Sequence, residues 1–354
     1  MAKIKNEAAE TANGWLVGGI VGIGIASALL MLAKKRREFD LNSKVVLITG
    51  GSRGLGLVLA RQFADAGAKL AICSRDETEL QRAQDELKES GAEVFTATCD
   101  VRNRDDAEAF VGQVVERFGR IDVLVNNAGV IQVAPLENQV QADFEEAMQT
   151  HFWGAFYMMQ AVVPHLKNKG AGRIVNISSI GGKVAIPHLA PYSASKFALV
   201  GLSSAMRNEL IKENIFVTTV CPGLMRTGSH VNAVFKGQNE LEYAWFTLGD
   251  ATPLTSISAE RAAAQIVEAT KNGDAELIIS IQAQILAKMN QIFPETTSEI
   301  LGLVNRLLPS AGGIGEKRAT GLESQSAISP SFLTTAIDEA ARENNELKPR
   351  ENLA

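Results

Sequence analysis

The sequence predicts a doubly wound α/β domain, in which a parallel sheet carries helices on both faces. From Lys44 onward, short β-branched runs alternate with amphipathic stretches of helical spacing. The first run, Val45 to Ile48, is apolar without a break, which is typical of a strand buried on both faces, and glycines follow it directly. We therefore expect one such domain at residues 42–282, with its ligand at the carboxyl ends of the strands.

The elements of this domain follow one another in strict alternation, which implies right-handed crossovers between parallel strands. The strand patterns lie at residues 45–48, 69–73, 93–98, 121–125, 173–177, 216–220 and 276–280. The helical patterns lie at residues 57–66, 77–89, 105–118, 141–166, 193–213 and 259–271.

The N-terminal region predicts a membrane anchor. After the segment 1–14, residues 15–33 form a run without any charge. At 1.5 Å per residue this run spans about 28 Å, close to the thickness of a bilayer core. A basic linker follows at residues 34–41 and favours the cytoplasmic side. We expect a single-pass transmembrane helix with the α/β domain facing the cytoplasm; a cleaved signal peptide or a buried core helix are the alternatives.

Beyond the domain, the pattern changes to two apolar helical stripes. They form a helical extension at residues 283–311, which could cover a ligand site, dock on a bilayer or pack between subunits. Residues 312–354 form a polar tail, in which one helix is predicted after Ser329 and Pro330.

Composition excludes several classes of function. The net charge of −5 gives no electrostatic reason to expect a nucleic-acid partner. The three cysteines are far apart in the sequence and the four histidines show no H-x-x-x-H pair, so that neither a disulfide framework nor a metal site is indicated.

A glycine-rich turn connects the first strand to the first helix. Thr49 to Gly56 reads T-G-G-S-R-G-L-G, and glycines at this point let the backbone approach a pyrophosphate while the helix N-terminus offers free N–H donors. An ordinary flexible loop is the alternative. Between a buried strand and a helix, the turn predicts a dinucleotide site.

The second strand ends in Ser74 and Arg75. An acidic residue here would hold the ribose 2′-hydroxyl of NAD, whereas arginine suits a 2′-phosphate. Arg75, together with Arg53 of the turn, therefore favours NADP(H) as the cofactor, although Asp76 follows directly and either arginine could be a surface charge.

Tyr192 and Lys196 are four residues apart at the start of a predicted helix, so their side chains share one face. A nearby ammonium stabilises a phenolate, and we expect it to lower the pKa of Tyr192 below its ordinary value. The phenol could then exchange a proton with a substrate oxygen while a hydride moves at carbon.

Taken together, these motifs resemble those of the short-chain dehydrogenase/reductase family, over residues 42–282. The resemblance implies a Rossmann fold and NADP(H)-dependent oxidation or reduction of an alcohol or carbonyl group. It implies that Ser179 binds the substrate oxygen, that Tyr192 is the acid/base, and that Lys196 tunes Tyr192 and holds the nicotinamide ribose. The motifs that carry the resemblance are Thr49–Gly56, Asp100-Val101, Asn126-Asn127-Ala128-Gly129, Ser178-Ser179, Tyr192–Lys196 and Pro222-Gly223.

The resemblance also implies a set of cofactor contacts along the cleft. The pyrophosphate turn and its neighbours would bind the phosphates, Asp100 and Val101 would flank the adenine, and Asn126 and the Ala128-Gly129 turn would line the cleft. The full set is Thr49, Gly50, Ser52, Arg53, Gly54, Leu55, Gly56, Arg75, Asp100, Val101, Asn127, Ala128, Gly129, Tyr192, Lys196, Pro222, Gly223 and Thr227.

One position departs from the family pattern. Where the family commonly has an asparagine linked to a proton relay, this chain has His151, in His151-Phe152-Trp153-Gly154. Imidazole both donates and accepts protons, so His151 could act as a catalytic relay, or it could be a packed residue without that role.

The stretch from Leu224 to Thr255 would close over the substrate in this family. It is rich in apolar residues and has few charges, which suggests a lipophilic substrate such as a fatty-acyl or steroid-like carbonyl compound. By resemblance we expect a homo-oligomer built on helices 141–166 and 193–213. A catalytically silent cofactor-binding sensor or scaffold is the alternative; an epimerase or lyase of the related extended branch would more often have a G-x-x-G-x-x-G turn.

Overall fold

The computed structural model describes residues 37–251, 256–326, 329 and 334–347. Seven parallel strands form the central sheet, and short strands outside it pair locally. In chain order the strands are β1 (Val45–Thr49), β2 (Lys69–Ser74), β3 (Val94–Thr98), β4 (Val123–Asn126), β5 (Gln132–Val133), β6 (Gly172–Ile177), β7 (Ile215–Pro222), β8 (Leu224–Arg226), β9 (Val234–Phe235), β10 (Ser256–Ser258), β11 (Glu276–Ile279) and β12 (Ala319–Thr320).

The helices alternate with these strands and cover both faces of the sheet. They are α1 (Gly54–Asp65), α2 (Glu77–Glu89), α3 (Arg104–Phe118), α4 (Gln141–Met148), α5 (Gly154–Lys169), α6 (Ala190–Leu210), α7 (Asn239–Ala251), α8 (Ala259–Asn272), α9 (Ile281–Ile292), α10 (Pro294–Asn305) and α11 (Thr335–Glu343).

The central sheet has the strand order β11-β7-β6-β4-β1-β2-β3. Its side chains form two apolar cores, one on each face: α1 and α8 cover Val46 and Ile48, and α3, α5 and α6 cover Val45 and Leu47. Successive residues of one strand thus enter opposite cores, which explains the uninterrupted apolar run. The doubly wound α/β fold is confirmed.

The strand order reverses between β1 and β4. The chain proceeds from β1 outward to β2 and β3, and then returns to β4 on the other side of β1. In sheets of this kind a ligand binds in the crevice at this switch point, beyond the carboxyl ends of the strands. Here those ends are Thr49 and Asn126.

The helix predicted at 141–166 is divided into three parts. α4 and α5 are joined by one π-helical turn, Gln149–Trp153, which contains His151. A π turn inserts an extra residue into the helical repeat, and such turns are frequent at functional sites. It directs the buried His151 toward the start of α6.

The membrane anchor predicted at residues 15–33 lies outside the described residues. Within the parts of the chain that the structure describes, no helix is both long and apolar enough to cross a bilayer.

The extension and the tail pack against the domain. α9 and α10 form a hairpin, and Ala283 and Ala287 of α9 pack on Ile180 and Val184, which follow Ser179 in sequence. The helix expected after Ser329 and Pro330 is α11, which contacts α7. The residues after α11 continue toward the glycine-rich turn.

Candidate active site

The glycine-rich turn is tied to the end of β4. Gly50 and Gly54 have φ angles of +62° and +54°, the left-handed region that glycine adopts without strain. The Thr49 hydroxyl accepts the backbone N–H groups of Asn127 at 3.0 Å and Ala128 at 3.1 Å. The Asn127 amide donates in return to the carbonyls of Thr49 and Gly50, at 3.1 and 3.0 Å. Thr49 and Asn127 therefore fix the shape of the glycine-rich turn, residues 49–56, which is called the cradle below.

The turn also carries the positively charged side chain of Arg53. Arg53 lies at the N-terminus of α1, and Leu55 and Gly56 are buried in the first turn of that helix. Arg53 Nη1 lies 2.8 Å from Glu79 Oε1, and the Ser52 hydroxyl donates to Glu79 Oε2 at 3.2 Å. Glu79, on α2, thus holds both side chains.

The residues expected around the adenosine end lie at the ends of β2 and β3. Arg75 is exposed, and its charge reaches Asp100. Asp100 forms an ion pair with Arg102 at 2.5 Å, and the hydrogen bond from Arg102 lowers the pKa of the Asp100 carboxyl. Val101 is buried and packs closely on Gly154, so its side chain forms a wall of the site.

Ser179, Tyr192 and Lys196 come together at the opposite end. Ser179 follows β6, and its hydroxyl accepts the N–H of Gly181 at 3.0 Å. Tyr192 and Lys196 lie one turn apart on α6, and the Tyr192 hydroxyl is hydrogen-bonded to Ser179. Lys196 Nζ donates to the Ile177 carbonyl at 2.8 Å and lies 5.5 Å from the centre of the Tyr192 ring.

The expected lowering of the Tyr192 pKa is wrong for this structure. Burial raises the pKa of Tyr192 to about 12, even though the Ser179 hydrogen bond acts in the other direction, and the charge of Asp250 raises it further. Burial also lowers the pKa of Lys196 to about 7. Desolvation is the largest cause of both shifts, with Lys196 buried and Tyr192 partly buried. At neutral pH, Tyr192 is therefore a protonated phenol.

His151 is hydrogen-bonded at both ring nitrogens. Nε2 accepts the N–H of Val130 at 3.0 Å, so the proton of the neutral ring is at Nδ1, which lies 2.8 Å from Ser195 Oγ. Burial and the charge of Lys196 hold the pKa of His151 well below its usual value. The ring meets that of Tyr192 edge-on, with centroids 5.5 Å apart. These contacts favour a packed, neutral imidazole over a proton relay.

The remaining predicted residues line the cleft between these two ends. The Asn126 amide donates to Asn176 at 2.8 Å inside a buried polar network, and Asn126 also lines a small cavity at the end of β4 together with Thr49 and Ala128. Gly129 packs against the His151 ring. Pro222 ends β7, and the Gly223 N–H donates to the Ile279 carbonyl at 3.1 Å.

Thr227 lies at the far side of the cleft, after β8, and is buried. Its hydroxyl donates to Ser229 Oγ at 3.0 Å, and its carbonyl accepts from the Asn344 amide at 3.3 Å. The tail is therefore in contact with a residue predicted to bind the cofactor.

The stretch predicted to close over the substrate, which the structure describes from residue 224 to residue 251, buries charged as well as apolar side chains. Val231, Phe235 and Tyr243 are fully buried, and the last two pack with Val133 and Leu189 of the domain. The segment also buries charged groups: Lys236 forms an ion pair with Asp143 at 2.5 Å. The segment has few charged residues, as expected, but three of them, Lys236, Glu242 and Asp250, are buried.

Two further acidic groups in this segment were not identified from the sequence. Asp250 is buried, and burial raises the pKa of its carboxyl to about 7. Glu242, fully buried, accepts from Trp245 Nε1 at 2.6 Å and lies 2.9 Å from His188 Nδ1. Only their spacing within an amphipathic helix could have suggested burial, and carboxylates at such positions are usually exposed.

The cleft fits a dinucleotide and offers no metal site. Within the described ranges, no group of three or more histidine, cysteine, aspartate or glutamate side chains could hold a metal ion. The glycine cradle has no room for a Cβ atom at Gly56, which lies against the Gly50 carbonyl, while Arg53 and Arg75 provide the cations that phosphates require.

Comparison with known proteins gives the same identification. The short chain dehydrogenase family profile matches residues 44–236. The chain is 40% identical over 188 residues to a putative ketoacyl reductase of Streptomyces coelicolor, covering 52% of this chain and 72% of that protein. It is 32% identical over 268 residues to the ketoacyl reductase HetN of Nostoc sp., covering 73% and 88%.

Solved structures with NADPH are similar as well. An actinorhodin polyketide ketoreductase variant with NADPH matches with a TM-score of 0.59 at 32% identity, covering 67% of this chain and 95% of that one. The L-sorbose reductase of Gluconobacter frateurii, complexed with NADPH and L-sorbose, matches with a TM-score of 0.62 at 26% identity, covering 68% and 97%. The chain belongs to the short-chain dehydrogenase family, and it is an oxidoreductase that acts on carbonyl or alcohol groups with NAD(P)H as its cofactor.

Proposed function

We propose that this protein is an NADP(H)-dependent carbonyl reductase that works at a membrane on a lipophilic substrate. The observation that carries the reductive direction is the protonated Tyr192 hydroxyl, partly buried and hydrogen-bonded to Ser179. A tyrosine that stays protonated at neutral pH has no free phenolate to accept a proton from an alcohol, but its hydroxyl can protonate the more basic alkoxide that forms as a carbonyl is reduced.

Ser179, Tyr192 and Lys196 have different roles in the reduction. Bound NAD(P)H supplies the hydride to the carbonyl carbon. The Ser179 hydroxyl orients the carbonyl oxygen, and Tyr192 donates its proton to that oxygen. Lys196, anchored to the Ile177 carbonyl, fixes the face of α6 that carries Tyr192. Ser179 and Lys196 are buried and Tyr192 is partly buried, which limits the access of water to the reacting oxygen.

The preference for NADP(H) rests on two arginines at the phosphate end. Arg53 projects from the turn, and Arg75 is exposed at the end of β2, where an NAD enzyme usually has a carboxylate. The similar solved structures that carry NADPH support this preference.

The membrane part of the proposal is supported by the hairpin of α9 and α10. Among the described residues, nine of the fifteen exposed large apolar side chains lie between Ile281 and Leu307, including Leu307 itself at 86% exposure. We assign this face to a bilayer surface because the apolar run at residues 15–33 would hold the domain beside one. A single pass, with the domain on the cytoplasmic side, is part of the same proposal.

Flotation with anionic liposomes tests this assignment in a chain that begins at residue 37. Ile285→Glu with Leu303→Glu should abolish flotation, because two charges would enter the apolar face. Leu136→Glu, at a residue 66% exposed elsewhere on the surface, is the matched control. Equal flotation of all variants would contradict docking of the hairpin on the bilayer. If the chain instead forms a dimer that the same two substitutions dissociate, the apolar face of the hairpin binds a second copy of the chain.

A homo-oligomer is also proposed. Trp153, at the junction of α4 and α5, is 38% exposed, and Phe197 on α6 is 43% exposed. Both lie on the helices that the family resemblance assigned to a subunit interface. Light scattering of the purified chain would give its mass, and a monomer at micromolar concentration would contradict this part of the proposal.

The enzymatic proposal is tested by NADPH oxidation with a panel of aldehydes and ketones of increasing chain length, with L-sorbose as the polar comparison. Tyr192→Phe should lower kcat by about 10²- to 10⁴-fold, because it removes only the proton donor. Tyr157→Phe is the control, since Tyr157 packs on Trp153 of the outer helices.

The outcomes separate the parts of the proposal. A Tyr192→Phe variant as active as the parent would contradict the mechanism, and a chain that binds NADPH without turnover of any carbonyl would favour the sensor or scaffold. Preference for the sugar would contradict the lipophilic substrate alone.

A further inference from the structure

The C-terminal segment lies on the glycine-rich turn. After α11, the Asn344 carbonyl accepts the backbone N–H of Gly54 at 2.8 Å, at the first residue of α1. This is one of the free donors of a helix N-terminus, which in a dinucleotide fold are directed at phosphate. A residue of the tail has already engaged it.

Glu346 brings a negative charge to the same place. Its carboxylate lies 3.4 Å from Arg53 Nε, and a Cβ atom at Gly54 would clash with Glu346 Oε1. The Asn232 amide donates to Glu346 Oε2, the oxygen that faces Arg53, at 2.7 Å. The Glu346 side chain is only 3% exposed. An anion at a helix N-terminus and beside an arginine has the environment that a cofactor phosphate requires.

The segment is anchored on both sides of the cleft. The Asn345 amide donates to the carbonyls of Ser52 at 2.8 Å and Glu79 at 3.1 Å, and its oxygen accepts from Arg82 Nε at 2.6 Å. On the opposite side, Asn344 reaches the Thr227 carbonyl. The segment therefore spans from the phosphate turn to the loop that follows β8.

We propose that residues 344–346 act as an internal competitor of the cofactor, in which the Glu346 carboxylate occupies the anion site that a phosphate of NAD(P)H takes when it binds. Arg53 already has Glu79 as a partner, so Glu346 and a phosphate cannot both pair with it favourably. Cofactor binding then requires the segment to leave, and the affinity for NADPH is reduced by the fraction of molecules in which the segment is seated.

Glu346→Gln tests the charge with almost no change in shape. Measured by titration of the purified full chain with NADPH, this variant should bind about tenfold more tightly, the effect of losing one competing ion pair at a partly buried arginine. Glu343→Gln makes the same charge change on an exposed side chain three residues earlier and should bind like the parent.

Asn345→Ala tests the anchor while keeping the Glu346 charge. It removes the three side-chain hydrogen bonds of Asn345 to Ser52, Glu79 and Arg82, and should also tighten NADPH binding because the segment is held less firmly. Thermal unfolding of each variant without cofactor shows whether the fold is intact.

Hydrogen exchange gives a readout that does not depend on turnover. Saturating NADPH should increase amide exchange in residues 338–347 while it protects residues 49–56. If NADPH instead protects both segments and Glu346→Gln weakens its binding, the tail is a strap that closes over the cofactor, and competition is refuted. Unchanged NADPH affinity in an active enzyme refutes the inference but leaves the proposed function standing.

Discussion

The two ends of the cofactor cleft are built in different ways. At the catalytic end, Lys196 binds the carbonyl of Ile177, only 19 positions away, and Tyr192 and Ser179 lie between them in sequence. At the phosphate end, the Ser52 carbonyl binds Asn345, 293 positions away. One end is thus assembled within a single strand–helix unit, and the other is completed by the far end of the chain.

This difference has a consequence for electrostatics. The catalytic end carries less charge, because desolvation keeps Tyr192 protonated and lowers the pKa of Lys196 to about 7, so that its amine is only partly protonated at neutral pH. The phosphate end concentrates charge, with Arg53 between Glu79 and Glu346. Changes at the catalytic end should therefore affect turnover, and changes at the phosphate end should affect cofactor affinity.

The largest expected effect is that of Lys196→Met. Removing the amine leaves the Ile177 carbonyl without its buried donor and Tyr192 without its cationic neighbour, and kcat should fall by about 10³-fold. Single-turnover rates at saturating NADPH would measure this. If the variant keeps the parental rate and only binds NADPH more weakly, Lys196 acts in cofactor binding, and the two ends of the cleft do not differ in the way described above.

His151→Leu should lower the free energy of unfolding by about 3 kcal/mol, because it leaves the N–H of Val130 and the hydroxyl of Ser195 without their partner in a buried site. Denaturant titration would measure the loss. His151→Gln, which can both donate and accept, is the matched variant and should recover part of it. If stability is unchanged while kcat falls, His151 is the proton relay that the sequence left open.

Arg75→Ala should weaken NADPH binding by about tenfold and leave NADH binding nearly unchanged, because only NADPH has the 2′-phosphate that Arg75 would contact. Parallel titrations with both nucleotides would show this. Arg104→Ala is the control, since Arg104 forms an exposed pair with Glu108 on α3. Equal losses for the two nucleotides would remove the basis for an NADP(H) preference.

The same contrast explains what the sequence could predict. The strands and the Tyr192–Lys196 pair follow from local patterns, because alternation and i, i+4 spacing determine which side chains share a face. The contact between Glu346 and Arg53 could not be predicted, because the two residues are far apart in the sequence and no local pattern around Glu346 indicates its partner. The raised pKa of Tyr192 was missed for a related reason: spacing brings the ammonium close but does not reveal how completely both groups are buried.

Asp250 gives the smallest expected effect on activity and tests the catalytic end alone. Its folded-state pKa of about 7 lies above the unfolded value of 3.8, so the folded chain holds a proton that the unfolded chain has lost between these values. Stability from this group is complete below pH 3.8 and is lost as the pH rises toward 7.

Asp250→Asn removes that loss, and its stability relative to the parent should increase by about 2 to 3 kcal/mol from pH 5 to pH 8 in thermal unfolding. Asp65→Asn, at an exposed position of α1, should show no such trend. Because the Asp250 charge also raises the pKa of Tyr192, the variant should oxidise alcohols at a lower pH than the parent, with the same affinity for NADPH. A change in that affinity would mean that the two ends are coupled through the segment between β8 and α7, and that the separation between chemistry and cofactor binding is incomplete.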